Sequence, residues 1–150
     1  MDLEGTRGAR LHIETPAGAL DAVLAVPGLH TAYNAAAATA AATALGIAPA
    51  TIAQALAATD AAFGRAERVR LDGHDLLMLL AKNPAGANVT VQTVLLDPEP
   101  LHLLVALNDR TADGRDVSWI WDVDYEPLLP RLERLTVTGD RAHDMALRFV

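Results

Sequence analysis

Hydrophobic and polar positions change rhythm part-way along this chain. Near the N-terminus, Leu11–Glu14 and Leu20–Ala25 are short β-compatible runs on either side of Pro16-Ala17-Gly18. That turn signal predicts a hairpin. Pro27-Gly28 then breaks the pattern. From His30 to Leu45 alanine dominates, which predicts a slim helix able to lie close against a neighbour, ended by Gly46. A second helix is predicted to start at Pro49, where a missing N–H costs nothing, and to run to Ala58. Ala53, Leu56 and Ala57 give it an apolar stripe at helical spacing.

A different texture follows. Glu67–Leu71 and Asp75–Ala81 flank Asp72-Gly73, a strong hairpin signal. Asn83-Pro84-Ala85-Gly86 reads as a loop and Ala87–Leu95 as the helix after it. Leu101–Leu107 is apolar on both faces, as expected of a strand inside a covered parallel sheet. Leu135–Thr138 is the next such strand, and Asp140–Val150 begins a helix. This is the cadence of a parallel α/β sheet. The textures meet near Thr59–Gly64, so two domains are expected, 1–60 and 61–150. The connection from Asn108 to about Leu132 is longer than a simple crossover needs. Loops of that length are usually functional or contain a short helix. This one leaves the C-terminal end of a strand, where open α/β sheets place their ligand sites.

Composition narrows the function classes. Of the 150 residues 51% are apolar, enough for a real core. The formal charge of −7 gives no general footprint for nucleic acid, although a few arginines can make a pocket locally positive. The absence of cysteine excludes a disulfide framework, a cysteine–zinc site and a cysteine nucleophile on this chain. Met1–Gly5 lacks the regions of a signal peptide, and the alanine run Ala35–Ala42 is too short to span a membrane. A cytoplasmic protein without a membrane span is the expectation.

The densest polar cluster lies in the long connection. Asp109, Asp113, Asp116, Asp122 and Asp124 share it with Trp119 and Trp121. A solvated acidic loop with tryptophans tucked over the sheet fits this composition. Carboxylates that bind a metal or orient a base fit it too, and spacing does not choose between them.

The motifs carry a resemblance. Asp113-Gly114-Arg115-Asp116-Val117-Ser118-Trp119-Ile120-Trp121-Asp122-Val123-Asp124-Tyr125-Glu126 resembles the signature of the C-terminal domain in the Mur-ligase-like subunit of lipid II isoglutaminyl synthases. So do Ala81-Lys82-Asn83-Pro84-Ala85-Gly86-Ala87-Asn88, Leu107-Asn108-Asp109 and Thr138-Gly139-Asp140-Arg141-Ala142. Upstream, Pro27-Gly28-Leu29-His30-Thr31-Ala32-Tyr33-Asn34-Ala35 is similar to the motif closing the central, ATP-binding domain of Mur ligases. Phe63-Gly64-Arg65-Ala66-Glu67 resembles the opening of their C-terminal domain. The aspartate–tryptophan string and Lys-Asn-Pro-Ala-Gly are specific to the family, whereas the upstream motifs belong to the superfamily.

The resemblance implies a Rossmann-like, mostly parallel α/β sheet, preceded by a hairpin-and-helices remnant of the central domain. It implies an amidotransferase that uses ATP and Mg²⁺ to turn the α-carboxylate of D-glutamate in lipid II into D-isoglutamine. Ammonia comes from a glutaminase subunit carrying a cysteine–histidine pair, and Asp116 holds the position that completes this pair across the interface. A carboxylate bonded to the histidine fixes its tautomer and stabilises its cation; a loop-capping aspartate is the plainer role. Asn34 matches an adenine-contacting asparagine, or caps a helix start. Arg65 matches an arginine near the ATP phosphates, or pairs with Glu67. Lys82 matches a phosphate-facing lysine, or is a solvated one. No metal ligand is expected on this chain.

Two positions depart from the better-known Mur ligases: Thr31 stands where many have asparagine, and Leu80 where a ribose-binding aspartate is found. The chain also has no Gly-x-x-Gly-Lys-Thr-type phosphate loop, which in the family lies far upstream, and it stops where family members continue. An incomplete subunit, inactive alone and without tight ATP binding, is therefore expected. A non-catalytic glutaminase-docking module and the C-terminal domain of another Mur or folylpolyglutamate-type ligase are the alternatives.

Overall fold

The computed structural model describes residues 1–61, 64–111 and 114–150. They divide into two compact units, Met1–Leu80 and Ala81–Val150. The second hairpin lies within the first unit.

In the first unit, β1 (Asp2–Leu3), β2 (Ala9–Thr15) and β3 (Gly18–Leu24) form an antiparallel sheet in that order. The predicted hairpin is present, its turn closed by Thr15 Oγ1, which donates to the Gly18 carbonyl at 2.7 Å and accepts from Ala17 N–H at 3.2 Å. Alternation sends Ala9, Leu11, Leu20, Ala22 and Leu24 into the interior. Helix α1 (Leu29–Ala44) covers β2 through Ala32 and Ala35, and α2 (Pro49–Ala57) covers β3 through Ile52. Alanine permits the close approach, and Thr39, 1% exposed, bonds the Ala35 carbonyl instead of water. Gly8 is required where it stands: at φ +123° a Cβ would lie 1.9 Å from the Leu24 carbonyl oxygen. Strands β4 (Arg65–Leu71) and β5 (His74–Leu79) make the second hairpin. Its turn residues Asp72 (φ +48°) and Gly73 (φ +82°) both adopt the left-handed region that a two-residue turn needs.

In the second unit, β6 (Leu101–Ala106) and β7 (Leu132–Thr138) pair in parallel, flanked by α3 (Pro84–Leu95) and α4 (Ala142–Arg148). The result is a mixed α/β fold with parallel strands and helices. Helix α3 begins at Pro84, not at Ala87, because Asn83 caps it: its side-chain oxygen accepts from Gly86 N–H at 2.8 Å. Strand β6 is not covered on both faces among the described residues. Leu101, Leu103 and Val105 pack inward, while Leu104 is 66% exposed.

From Val117 onward, the long connection between β6 and β7 is not a solvated loop. Two 3₁₀ turns, Ser118–Asp122 and Glu126–Arg131, carry Ile120, Val123 and Leu128 into a core shared with Ala87, Val91, Leu107 and Met145. Ile120 is completely buried. No helix among the described residues is long and apolar enough to cross a membrane.

Candidate functional site

The sequence-predicted residues fall at different places. Asp116 and the tryptophans belong to the crossover of the second unit, Asn34 and Arg65 share a cleft in the first, and Lys82 is an exposed residue preceding the cap of α3. Phe63 and Asp113, members of two motifs, lie outside the described residues.

At the crossover, Asp116 is exposed, and its Oδ1 accepts from Ser118 N–H at 2.9 Å. Bonds from the Ser118 side chain and backbone hold its carboxyl below the usual range, so it is an anion at neutral pH. This is the loop-capping role expected of an aspartate before a turn, and it leaves the carboxylate at the surface. The tryptophans divide: Trp119 packs against the core, while Trp121 is 57% exposed.

Polar side chains from both helices hold this segment. Asn88 in α3 donates from Nδ2 to the Asp122 carbonyl at 3.3 Å and accepts on Oδ1 from Asp124 N–H at 2.8 Å. Arg148 in α4 donates to the Ile120 carbonyl at 3.2 Å and to the Val123 carbonyl. It also pairs with Glu126 at 2.7 Å and lies 5.3 Å from the centre of the Tyr125 ring. Burial raises the Tyr125 pKa, opposed by Arg148, and the bond from Arg148 lowers that of Glu126.

The other family motifs join the ends of β6 and β7. Asn108 accepts from Asp140 N–H at 3.0 Å, Asp109 pairs with Arg141 at 3.3 Å, and Arg110 grips Asp140 through two nitrogens at 2.6 and 3.2 Å. Arg141 also pairs with Asp144 at 2.8 Å. Asp140 and Asp144 are thereby kept ionised, and Arg141 is pushed further towards its charged form. Gly139 passes so close that a Cβ would lie 2.3 Å from the Leu107 carbonyl oxygen. Sequence reasoning left Asn88, Asn108 and Asp109 without tasks and passed over Arg148. Each has a bonding role that spans about thirty residues of chain, which no local pattern signals.

The cleft in the first unit measures about 720 Å³. Leu24, Val26 and Ala35 supply apolar wall, and Asn34 and Arg65 supply an amide and a guanidinium. Asn34 does not cap α1; Gly28 occupies that position. Glu67 does not pair with Arg65 but accepts from Gly64 N–H at 3.0 Å. The strand register shifts between Arg65 and Glu67, where Ala66 has φ +64°, and such bulges re-aim neighbouring side chains. The departures Thr31 and Leu80 also line the cleft, with His30 and Asp60, which sequence reasoning had not singled out. Thr31 is committed to the Pro27 carbonyl at 3.1 Å. An apolar wall with one amide fits the base end of a nucleotide. Among the described residues no group of three His, Asp or Glu side chains is placed to hold a metal ion.

The parallel strands, flanking helices and motif-bearing crossover of the second unit are consistent with a C-terminal domain of the Mur-ligase class. Residues 80–150 match the family described as MurT ligase C-terminal. The chain is similar to the lipid II isoglutaminyl synthase (glutamine-hydrolyzing) subunit MurT of Streptococcus pneumoniae, 37% identical over 124 residues. It is likewise 37% identical over 125 residues to the subunit of that name from Staphylococcus aureus. These matches cover 82% of this chain and 28% of each relative, so the chain spans little more than a quarter of their length. In fold it is similar to the UDP-N-acetylmuramoylalanyl-D-glutamyl-2,6-diaminopimelate–D-alanyl-D-alanyl ligase of Acinetobacter baumannii. There the TM-score is 0.75 at 22% identity, over 99% of this chain and 32% of that one.

Proposed function

We propose that this chain is part of an ATP-dependent amidotransferase that converts the D-glutamate α-carboxylate of lipid II to D-isoglutamine. It docks a glutaminase subunit and lends that subunit Asp116. The observation that carries this reading is an ionised, exposed carboxylate on a firmly packed crossover, in a domain that matches the MurT ligase C-terminal family. A glutaminase needs an activated nucleophile, and a chain without cysteine leaves a cysteine–histidine pair to the partner. Asp116 then accepts the histidine N–H, holds the tautomer and stabilises the cation. ATP supplies the leaving group by phosphorylating the lipid II carboxylate, and ammonia displaces it. Asn34 and Arg65 would hold the nucleotide's base and phosphate ends; Lys82, in the second unit, is proposed separately as a phosphate-facing lysine. Mg²⁺ and the phosphate loop would be held elsewhere in the assembled enzyme.

The test is Asp116→Asn in the assembled enzyme. Glutamine hydrolysis falls on the order of a thousandfold, because an amide neither enforces the tautomer nor balances the cation. Subunit association persists, and free ammonia restores amidation, since carboxylate activation does not use the glutaminase. Asp113→Asn is the mild control. Hydrolysis at the wild-type rate, or failure of ammonia to rescue, removes the assigned role.

A further inference from the structure

The carboxylate of Asp116 is held by a local bond to Ser118, and Ser118 begins a 3₁₀ turn with Asp122 at its far end. What fixes that end comes from elsewhere in the domain. Asn88 uses both halves of its amide on it, donating to Asp122 and accepting from Asp124. The two bonds define the orientation of the amide, since a flipped group would set donor against donor and acceptor against acceptor. Arg148, with a side chain 12% exposed, takes the Ile120 and Val123 carbonyls from the other helix and is itself steadied by Glu126. Ile120 and Val123 stand between these polar anchors and are buried to 0% and 1% exposure. The turn is thus gripped from α3 and from α4, while Asp116 just before it and Trp121 within it are exposed.

We infer that Asn88 and Arg148 are positioning residues for the glutaminase reaction: they clamp the turn that presents Asp116 to the partner's histidine. This rests on the role proposed for Asp116 and goes beyond it, because neither clamp residue would touch glutamine or the reacting atoms. A carboxylate that must meet a ring nitrogen at hydrogen-bond distance tolerates little displacement. A misplacement of about 1 Å costs about a hundredfold in rate.

The experiment is a double-mutant cycle in the assembled enzyme, reading glutamine hydrolysis and ammonia-dependent amidation separately. Asn88→Ala lowers the kcat of glutamine hydrolysis by about tenfold to a hundredfold with KM for glutamine unchanged. Ammonia-dependent amidation stays at the wild-type rate. In an Asp116→Asn background the same substitution has no further effect, because the group it positions is already gone. Arg148→Lys, which keeps the charge but cannot serve two carbonyls with a rigid fork, gives the same non-additivity if the clamp has two sides. Thermal melts of each variant show whether the domain is folded. Additive losses in the cycle, or a parallel fall in ammonia-dependent amidation, mean a general structural role and overturn the inference. A wild-type rate in Asn88→Ala beside a crippled Asp116→Asn overturns the clamp alone. A wild-type rate in Asp116→Asn overturns the function proposed above.

Discussion

In Met1–Leu80 the sheet pairs its own backbone in unbroken register from Ala9 opposite Leu24 to Thr15 opposite Gly18, and small side chains let helices lie against it. In Ala81–Val150 the crossover between β6 and β7 has no such ladder among the described residues. Several of its carbonyls and amides are met by the side chains of Asn88 and Arg148 from far along the chain, and its own Arg131 reaches out to the Val94 carbonyl at 3.1 Å and to the Glu99 carbonyl. Buried backbone groups must be paired in either case. The first unit spreads that task over many equivalent bonds, so one side chain matters little. The second concentrates it in a few residues, which makes the segment that carries Asp116 both well defined and easy to damage.

Core truncation gives the largest effect that separates the units. Ile120→Ala removes a fully buried side chain from a core that the crossover shares with α3 and α4, whereas Ile52→Ala opens a smaller cluster beside α2. We expect the first to destabilise its unit by about 4 kcal/mol and the second by about 3 kcal/mol, within the usual range for such deletions. Hydrogen exchange resolved by segment separates the two losses. A cost for Ile120→Ala under about 1.5 kcal/mol would mean the crossover is not integral to the core.

Two glycines sharpen the contrast at smaller scale. Gly8→Ala drives a Cβ into the Leu24 carbonyl, and Gly139→Ala drives one into the Leu107 carbonyl. At Gly139 the added atom also comes within 2.9 Å of Asn108 Oδ1, the acceptor for Asp140 N–H. Each costs about 1–3 kcal/mol in backbone strain. Gly139→Ala should cost more, since it disturbs a side-chain anchor as well. Urea melts of the two variants decide it, and a clearly smaller loss at Gly139 would count against the dependence of the second unit on such anchors.

The same contrast explains what was legible in the sequence. Both hairpins were, because Pro16-Ala17-Gly18 and Asp72-Gly73 fix turns locally. The helix from alanine-rich residues was too, to within a residue at each end. The start of α3 was misplaced although its signal was present: Asn83 before Pro84 is a cap followed by a first-turn proline, and it reads equally well as a loop. The exposed face of β6 was not legible, since Leu104 is apolar and only tertiary context decides what covers it. At the candidate site the motif suggested Asp116, but gave no sign of the residues that hold its turn. Those contacts follow from the packing of α3 and α4, not from any spacing along the chain.

The smallest expected effect is electrostatic, and the two tryptophans make it measurable. Both lie in the second unit, so intrinsic tryptophan fluorescence follows the unfolding of that unit alone. Glu126, Asp140 and Asp144 are held below the ordinary carboxylate range, by Arg148, Arg110 and Arg141 respectively. The unfolded chain therefore binds protons more readily than the folded one as the pH falls towards about 4. Their contribution is complete above the unfolded pKa values and is lost as the pH drops through the lower folded ones. All three pairs are solvent-exposed on the carboxylate side, so screening keeps the effect modest and salt weakens it. Glu126→Gln isolates one share, because glutamine can still accept from Arg148 but carries no charge and does not titrate. Fluorescence-monitored urea melts should show the wild type more stable than this variant at neutral pH, with a steeper loss on acidification. The two should converge once Glu126 is protonated in the folded state. Curves that stay parallel from neutral pH down to about 3 would mean that Arg148 is held by the Ile120 and Val123 carbonyls alone, with Glu126 a bystander.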